Sequence, residues 1–308
     1  MASNILNRYV WLIDIINRHG YITLPEIDRA WQRSSLNADG QPMPERTFFN
    51  HRNAIRDLFG IEIKNDRNLG YYIADTSELS DDVARTWLLQ TLSVGNALNE
   101  CIDMKGRILV EKVPSNQMYL TDILSAMKNG RSIFLTYHSF KDPEPHTFET
   151  EPYCIKLFRQ RWYMLGRLVE KNVLRVYSLD RIADMEESDN YFELPKGFDG
   201  ERYFSNYFGI ITAENAGPED VYLRVNRDQV KYFRTLPLHT SQAETEANDE
   251  YSIFHYALVP TFDFYQEILS KGSSVEVLSP SWLREWVSTT ASQMCTIMGT
   301  LANFRGII

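Results

Sequence analysis

Between Lys156 and Arg181 the chain places seven Lys/Arg residues against two acids, a local balance of +5 in a protein whose formal net charge is -9. Arg159, Arg161, Arg167, Arg175 and Arg181 carry planar guanidinium forks that grip phosphate or carboxylate oxygens two at a time. Interleaved with them stand Tyr137, His138, Tyr163 and Tyr177, rings able to stack or form hydrogen bonds. A positive island in an acidic chain predicts an anionic ligand. A solvated basic sheet face is the competing reading. At single residues the alternatives also stay open: Trp162 reads as core, Tyr163 as core or pocket, and Arg181 as a clamp or as the ion-pair partner of Asp180.

A second set of side chains lies earlier. Arg46, Thr47, Asn50, His51, Arg52 and Asn53 fall on one predicted helix, where Arg can donate twice to guanine and Asn can pair with adenine. Arg52, like Arg56, is spaced for phosphates or for pairs within the helix, and Lys64 and Arg67 flank Asp66 at the tip of a predicted ribbon. No catalytic residue is assigned. The chain has no G-x-S-x-G, no H-E-x-x-H and no phosphate-binding glycine loop. His138, His146, His239 and His255 lack metal-ligand spacing, so neither a metal nor a cofactor is expected and the chain reads as a non-enzyme.

These residues need elements to hold them. Ile5, Leu6, Tyr9, Val10, Leu12, Ile13 and Ile16 recur at near-helical spacing up to His19-Gly20. Thr23, Pro25 and Glu26 form the start of a second helix with a capping-box acid. Pro44 opens a third, Glu45 to Phe59, whose core stripe is expected at Phe48, Ile55, Leu58 and Phe59. Ile61–Lys64 and Tyr71–Ala74 then form a two-stranded ribbon. Over residues 1–75 this is the element order of a winged helix-turn-helix reader of double-stranded DNA. A helical protein-interaction module is the alternative, since those residues hold nine Lys/Arg and nine Asp/Glu.

Residues 76–130 read as a helical linker, including a helix with Leu120, Ile123, Leu124 and Met127 that ends at Gly130. From Ser132 the period changes to two. Strands are expected near Ile133–Tyr137, Thr147–Glu151, Tyr153–Leu157, Arg161–Gly166 and Val173–Ser178, a small barrel over 131–195 closed near Asp180-Arg181-Ile182. Residues 217–305 alternate β-α-β-α-β-α, an α+β unit of ferredoxin-like type, with Thr240–Glu250 as an exposed acidic loop. The whole is a multidomain α+β protein.

Composition sets outer bounds. The chain has 308 residues, 44% hydrophobic and 24% charged, enough for two or three domains with real cores. Residues 182–308 hold nine basic and nineteen acidic side chains, so the overall acidity resides largely there and does not exclude nucleic acid elsewhere. No apolar run of about 18 residues is present, and no basic-then-apolar leader, so neither membrane association nor export is expected and the location is read as cytoplasmic. Cys101, Cys154 and Cys295 are scattered and odd in number, which argues against a disulfide framework or zinc cluster.

Tyr137, Pro152, Trp162-Tyr163-Met164 and Asp180-Arg181-Ile182, followed by Val275–Leu278, Pro280 and Leu283-Arg284, resemble the WYL-domain transcriptional regulators, and Arg46-Thr47 resembles their recognition-helix start. The resemblance covers nearly the whole chain. It implies a bacterial protein with an N-terminal winged helix-turn-helix, a WYL domain built as an Sm-like β-barrel and a C-terminal extension called WCX. It further implies a homodimer on duplex DNA, with a single-stranded nucleic acid or nucleotide sensed by the barrel. An accessory protein acting on single strands or RNA without promoter control is the alternative. Three positions depart from the family pattern. Met164 stands in place of the namesake leucine, Asn50-His51 where many relatives carry Arg-Asp, and Thr150-Glu151 where a basic residue precedes the proline.

Overall fold

A computed structural model describes residues 2–34, 36–74, 118–140, 142–213 and 216–300, with isolated positions at 87, 91, 94 and 109. The chain divides into two compact units, Met1–Glu111 and Lys112–Ile308. Of the helical linker expected over 76–130, residues 76–117 lie outside the described residues, save for those four isolated positions.

The first unit holds α1 (Ala2–His19), α2 (Leu24–Gln32), α3 (Glu45–Phe59), β1 (Ile63–Asp66) and β2 (Gly70–Ile73). The expected start of α2 is present: the Thr23 backbone N–H donates to Glu26 Oε2 at 2.9 Å, with Pro25 in the first turn. Gly60, in the left-handed region at φ +61°, ends α3. Leu12, Ile16, Ile22, Ile27, Phe48, Ile55 and Tyr71 form one core. Leu58 does not join it. It sits roughly 70° round the helix from the Phe48–Ile55 line and is 65% exposed. The chain after α1 pairs with the ribbon, since Ile22 and Tyr71 exchange backbone hydrogen bonds of 3.0 and 2.7 Å. That close approach demands Gly70: it has φ +99°, and a Cβ there would stand 2.5 Å from the Ile22 carbonyl oxygen.

The second unit opens with α4 (Leu120–Asn129), assigned from sequence to the linker. Ile123 and Ala126 are instead buried in one core with Ile133, Leu135, Met164, Tyr177 and Leu179, so α4 belongs to the sheet domain. That sheet runs β3 (Arg131–Tyr137), β4 (His146–Phe158), β5 (Arg161–Leu168), β6 (Val173–Ser178) and β7 (Ile182–Tyr191), in the antiparallel order β6-β5-β4-β3-β7. The two strands expected at 147–151 and 153–157 are a single bent strand, β4. Its register slips between Pro152 and Cys154, where proline has no N–H to give the ladder. The outer strands β6 and β7 are joined by the 3₁₀ turn Leu179–Arg181. Four Cα steps reach at most ~15 Å, whereas four spacings of a flat sheet need ~19 Å, so the sheet must curl. Among the described residues no ladder links β6 to β7. The expected closed barrel is therefore an open, curled sheet.

After α5 (Gly200–Phe204) come β8 (Glu219–Asn226), α6 (Arg227–Thr235), β9 (Ala243–Ala247), β10 (Tyr251–Leu258), α7 (Phe262–Ser270), β11 (Val275–Ser279) and α8 (Ser281–Thr300). The antiparallel order β11-β8-β10-β9 and the succession β-α-β-β-α-β are ferredoxin-like, with α8 appended. β9 lies inside the stretch expected as a loop. All five of its residues are exposed and its sequence is Ala-Glu-Thr-Glu-Ala, so it carries no apolar alternation to betray it. Among the described residues no helix is long and apolar enough to cross a membrane.

Candidate functional site

On α3, Phe48 and Ile55 fix the buried direction. At 100° per residue the opposite side carries Arg46, Asn50, Asn53 and Asp57, all exposed, with Phe49 at its edge under the Arg52 guanidinium, 5.6 Å from the ring centroid. Thr47 is half-buried at one flank. His51 is elsewhere: it is 8% exposed and meets the Tyr9 ring edge-on at 5.1 Å. Burial, then the nearby Arg8 charge, lowers its pKa. It is a core residue, a correction to its reading as a DNA contact. On the ribbon, Asp66 Oδ1 accepts from the backbone N–H of Asn68 and Leu69 at 2.8 and 3.0 Å, fixing the turn that exposes Arg67. Lys64 is exposed and lies 3.4 Å from Glu62.

The second grouping surrounds the 3₁₀ turn between β6 and β7. The Ser178 N–H donates to the Tyr137 hydroxyl at 3.1 Å, and burial raises the pKa of that hydroxyl, keeping it neutral. Arg181 Nε donates to the His138 carbonyl at 2.9 Å. Its guanidinium lies 3.7 Å from the Phe140 ring centroid and 4.9 Å from that of Tyr137. Phe140 is 88% exposed, so the stack has a free outer face. Arg161 approaches Asp180 at 3.8 Å, and the Ser178 hydroxyl donates to the same carboxylate. Tyr163 is half-buried and close enough to Tyr137 to perturb its hydroxyl. The arrangement offers an aromatic face, two guanidiniums and hydroxyls at one end of the curled sheet. Phe140 escaped the sequence reading because it follows the end of β3, in a turn whose polar neighbours give no periodicity.

Other members of the basic island are spoken for. Arg167 grips Glu151 with Nε and Nη2, the former at 2.6 Å, and donates from Nη1 to Asn172 at 2.8 Å. The acid that precedes Pro152 therefore neutralises an arginine of the next strand. Arg159 and Gln160, at φ +48° and +63°, form the two-residue turn between β4 and β5. The Arg159 side chain packs on Phe158 and Phe208 and pairs with Glu267 of α7. Tyr177 is core, its hydroxyl beside Thr150 and its pKa pushed up to about 12 by burial. Tyr177 is thus a core residue, and Arg159 and Arg167 are engaged in ion pairs within the protein. Arg175 and His138 remain exposed. Among the described residues no three His, Cys, Asp or Glu are grouped to hold a metal.

Comparison with known families decides what this scaffold is. Residues 118–187 match the WYL domain model and residues 217–295 match the WCX domain model. The chain carries a WYL domain followed by a WCX domain. The match begins ahead of α4, in agreement with the burial of that helix in the WYL core. No curated protein matches the chain. Among solved structures it is similar to "Proteasome accessory factor B/C (PafBC) of Arthrobacter aurescens", at 17% identity over 86% of this chain and 44% of that one, with a TM-score of 0.32. It is also similar to a "CRISPR Cas-related protein", at 14% identity over 86% of this chain and 74% of that one, with a TM-score of 0.40. The chain thus spans less than half the length of the PafBC chain.

The WYL and WCX domains are fastened to one another. Besides the Arg159–Glu267 pair, Lys156 Nζ donates to the Gly209 carbonyl at 2.8 Å and lies 4.1 Å from the Phe204 ring centroid. Asp263 Oδ2 accepts from the N–H groups of Ile210 and Ile211, both at 2.8 Å. The connector that follows β7 is held from the WYL side by a lysine and from the WCX side by a carboxylate. Burial lowers the Lys156 pKa to about 8, and burial pushes the neighbouring Cys154 thiol up to about 11, which makes it a poor nucleophile.

Proposed function

We propose that this protein is a ligand-responsive, DNA-binding transcriptional regulator, a binding protein and not an enzyme. Its first unit acts as a winged helix-turn-helix whose α3 enters the major groove. The observation that carries the reading is the common exposed face of Arg46, Asn50 and Asn53, with cationic Arg67 on the neighbouring ribbon tip. That face offers a guanine reader and two adenine readers at i, i+4 and i+7. Thr47, Arg52 and Lys64 serve the backbone. The presence of WYL and WCX domains supports the regulatory role. The effector is an anionic nucleic acid or nucleotide, gripped by Arg161, Arg175 and Arg181 and stacked on Phe140, with Tyr137, His138 and Tyr163 around it. Two copies bind a pseudo-palindrome as a homodimer.

Arg46→Ala tests the division of labour. It is expected to weaken duplex binding by about 10-fold or more while leaving single-stranded oligonucleotide binding unchanged. Equal loss of both would remove the basis for assigning separate sites. One observation favours a second reading: residues 1–75 are electrically neutral, so counterion release adds little affinity there. On that reading the WYL domain binds single strands or RNA and the first unit docks a protein. Chromatin footprinting that yields no discrete sites would favour it.

A further inference from the structure

Among the polar residues of α3 stands one exposed aromatic ring. Phe48 is fully buried and fills the core, whereas its neighbour Phe49 is 40% exposed. At 100° per residue Asn50, Arg46, Asn53, Phe49 and Arg52 follow one another round the helix over about 160°. The ring therefore lies between a proposed adenine reader and a proposed phosphate contact, both on the side of the helix that faces away from the core. It is fixed there by its own neighbours: it meets Phe48 edge-on at 5.5 Å, and the Arg52 guanidinium lies 5.6 Å from its centroid. Those contacts leave the outer part of the ring bare. Leu58, the other large exposed hydrophobic side chain of α3, lies nine positions on and about 180° round the helix, so the two form no shared patch on which a protein could dock.

We propose that Phe49 reads the C5 methyl group of a thymine in the major groove, next to the bases met by Arg46 and Asn53. The assignment deepens the DNA-reading role given to α3 and rests on it. The edges of the bases in the major groove present hydrogen-bond donors and acceptors, and the thymine methyl is the apolar group among them. A phenyl ring has no atom to answer the donors and acceptors, and its bare edge is complementary to the methyl. Phe49 is three positions from Arg46 and four from Asn53, so each pair lies one turn apart on a common face. The thymine is therefore adjacent to the guanine or adenine that those two residues meet. Because Phe48 and Arg52 already hold the ring, little side-chain freedom is lost on binding, and the burial of the methyl appears as affinity. Cytosine at the same place offers an amino donor and no methyl, so the contact discriminates between the two pyrimidines.

The test starts from duplexes that the full chain selects out of a random-sequence DNA library. Each thymine of the selected site is replaced in turn by deoxyuridine, which removes the methyl group and keeps the base pair. Duplex affinity is then measured for the wild type and for Phe49→Ala. In the wild type, replacement of one thymine in each half-site is expected to weaken binding about 3-fold or more. Phe49→Ala is expected to bind the thymine duplex more weakly than the wild type and to be indifferent to the replacement. The wild-type series needs no variant, so it stands however Phe49→Ala folds. A wild type that tolerates uracil at every thymine would overturn the methyl contact and leave the DNA reader standing. A Phe49→Ala protein as sensitive to uracil as the wild type would overturn the assignment to Phe49. A library from which no sequence is enriched would overturn the DNA-reading role and this inference with it.

Discussion

Lys156 is the residue at which burial and charge conflict most. Its amine touches the Phe204 ring and donates to Gly209, and its pKa falls to about 8 from the ordinary 10.5 because burial disfavours the charged form. Below pH 8 both folded and unfolded chains hold the proton, and the whole penalty is present. Between pH 8 and 10.5 the unfolded chain binds more protons than the folded one, so this group makes stability rise with pH there. Relative to Lys156→Met, the wild type should gain melting temperature across that interval. A difference in melting temperature that stays flat with pH would contradict the burial argument. Lys156 was visible in the sequence only as one of seven cations. Arg159 and Arg167 likewise looked free, because Glu267 lies 108 positions away and Glu151 sits on the adjoining strand. His51 failed as a DNA contact for a similar reason: the helix pattern puts it at the flank, and only Tyr9 of α1 decides that the flank is covered. Asn50, one residue earlier, is exposed on the helix pattern alone.

At the scale of elements, what could be read early was what local chemistry dictates. The cap at Thr23, the stop at Gly60 and the period-two run through Ile133–Tyr137 all specify their own conformation. What could not be read depends on partners distant in sequence. α4 looked like a connector until its apolar side met Ile133 and Met164, β9 has no apolar residue larger than alanine to mark it, and the curled WYL sheet has no ladder between its outer strands β6 and β7 among the described residues. Gly70 shows the distinction in one residue. The sequence marks a turn there, but the need for glycine comes from the Ile22 backbone packed against it. Gly70→Ala must move that backbone and hold φ +99°, and it is expected to destabilise the first unit by more than about 2 kcal/mol. A thermal melt checks this, and a loss below a few tenths of a kcal/mol would mean the bridge between Ile22 and Tyr71 yields without cost.

For the whole molecule the reading joins two chemistries held by one chain. On the proposed function, the exposed face of Arg46, Asn50 and Asn53 would read duplex DNA, and the stack of Phe140, Arg181 and Tyr137 would receive an anionic effector. Regulation needs the effector to bind the DNA-competent and DNA-incompetent states with different affinity; equal affinity shifts nothing. Arg159 and Lys156 fasten the WYL domain to α7 and to the connector, and on the proposed function those contacts would carry a change at the effector site to WCX. The central claim is this coupling. It is tested most directly by titrating the full chain onto duplex DNA from upstream of its own gene, with and without a short single-stranded oligonucleotide, in wild type and in Arg181→Ala. The account predicts specific duplex binding whose affinity the oligonucleotide changes about 5-fold or more in the wild type, and an unchanged duplex affinity in Arg181→Ala that no longer responds. Duplex affinity that is the same with and without the oligonucleotide in the wild type, although the oligonucleotide is bound, would contradict it.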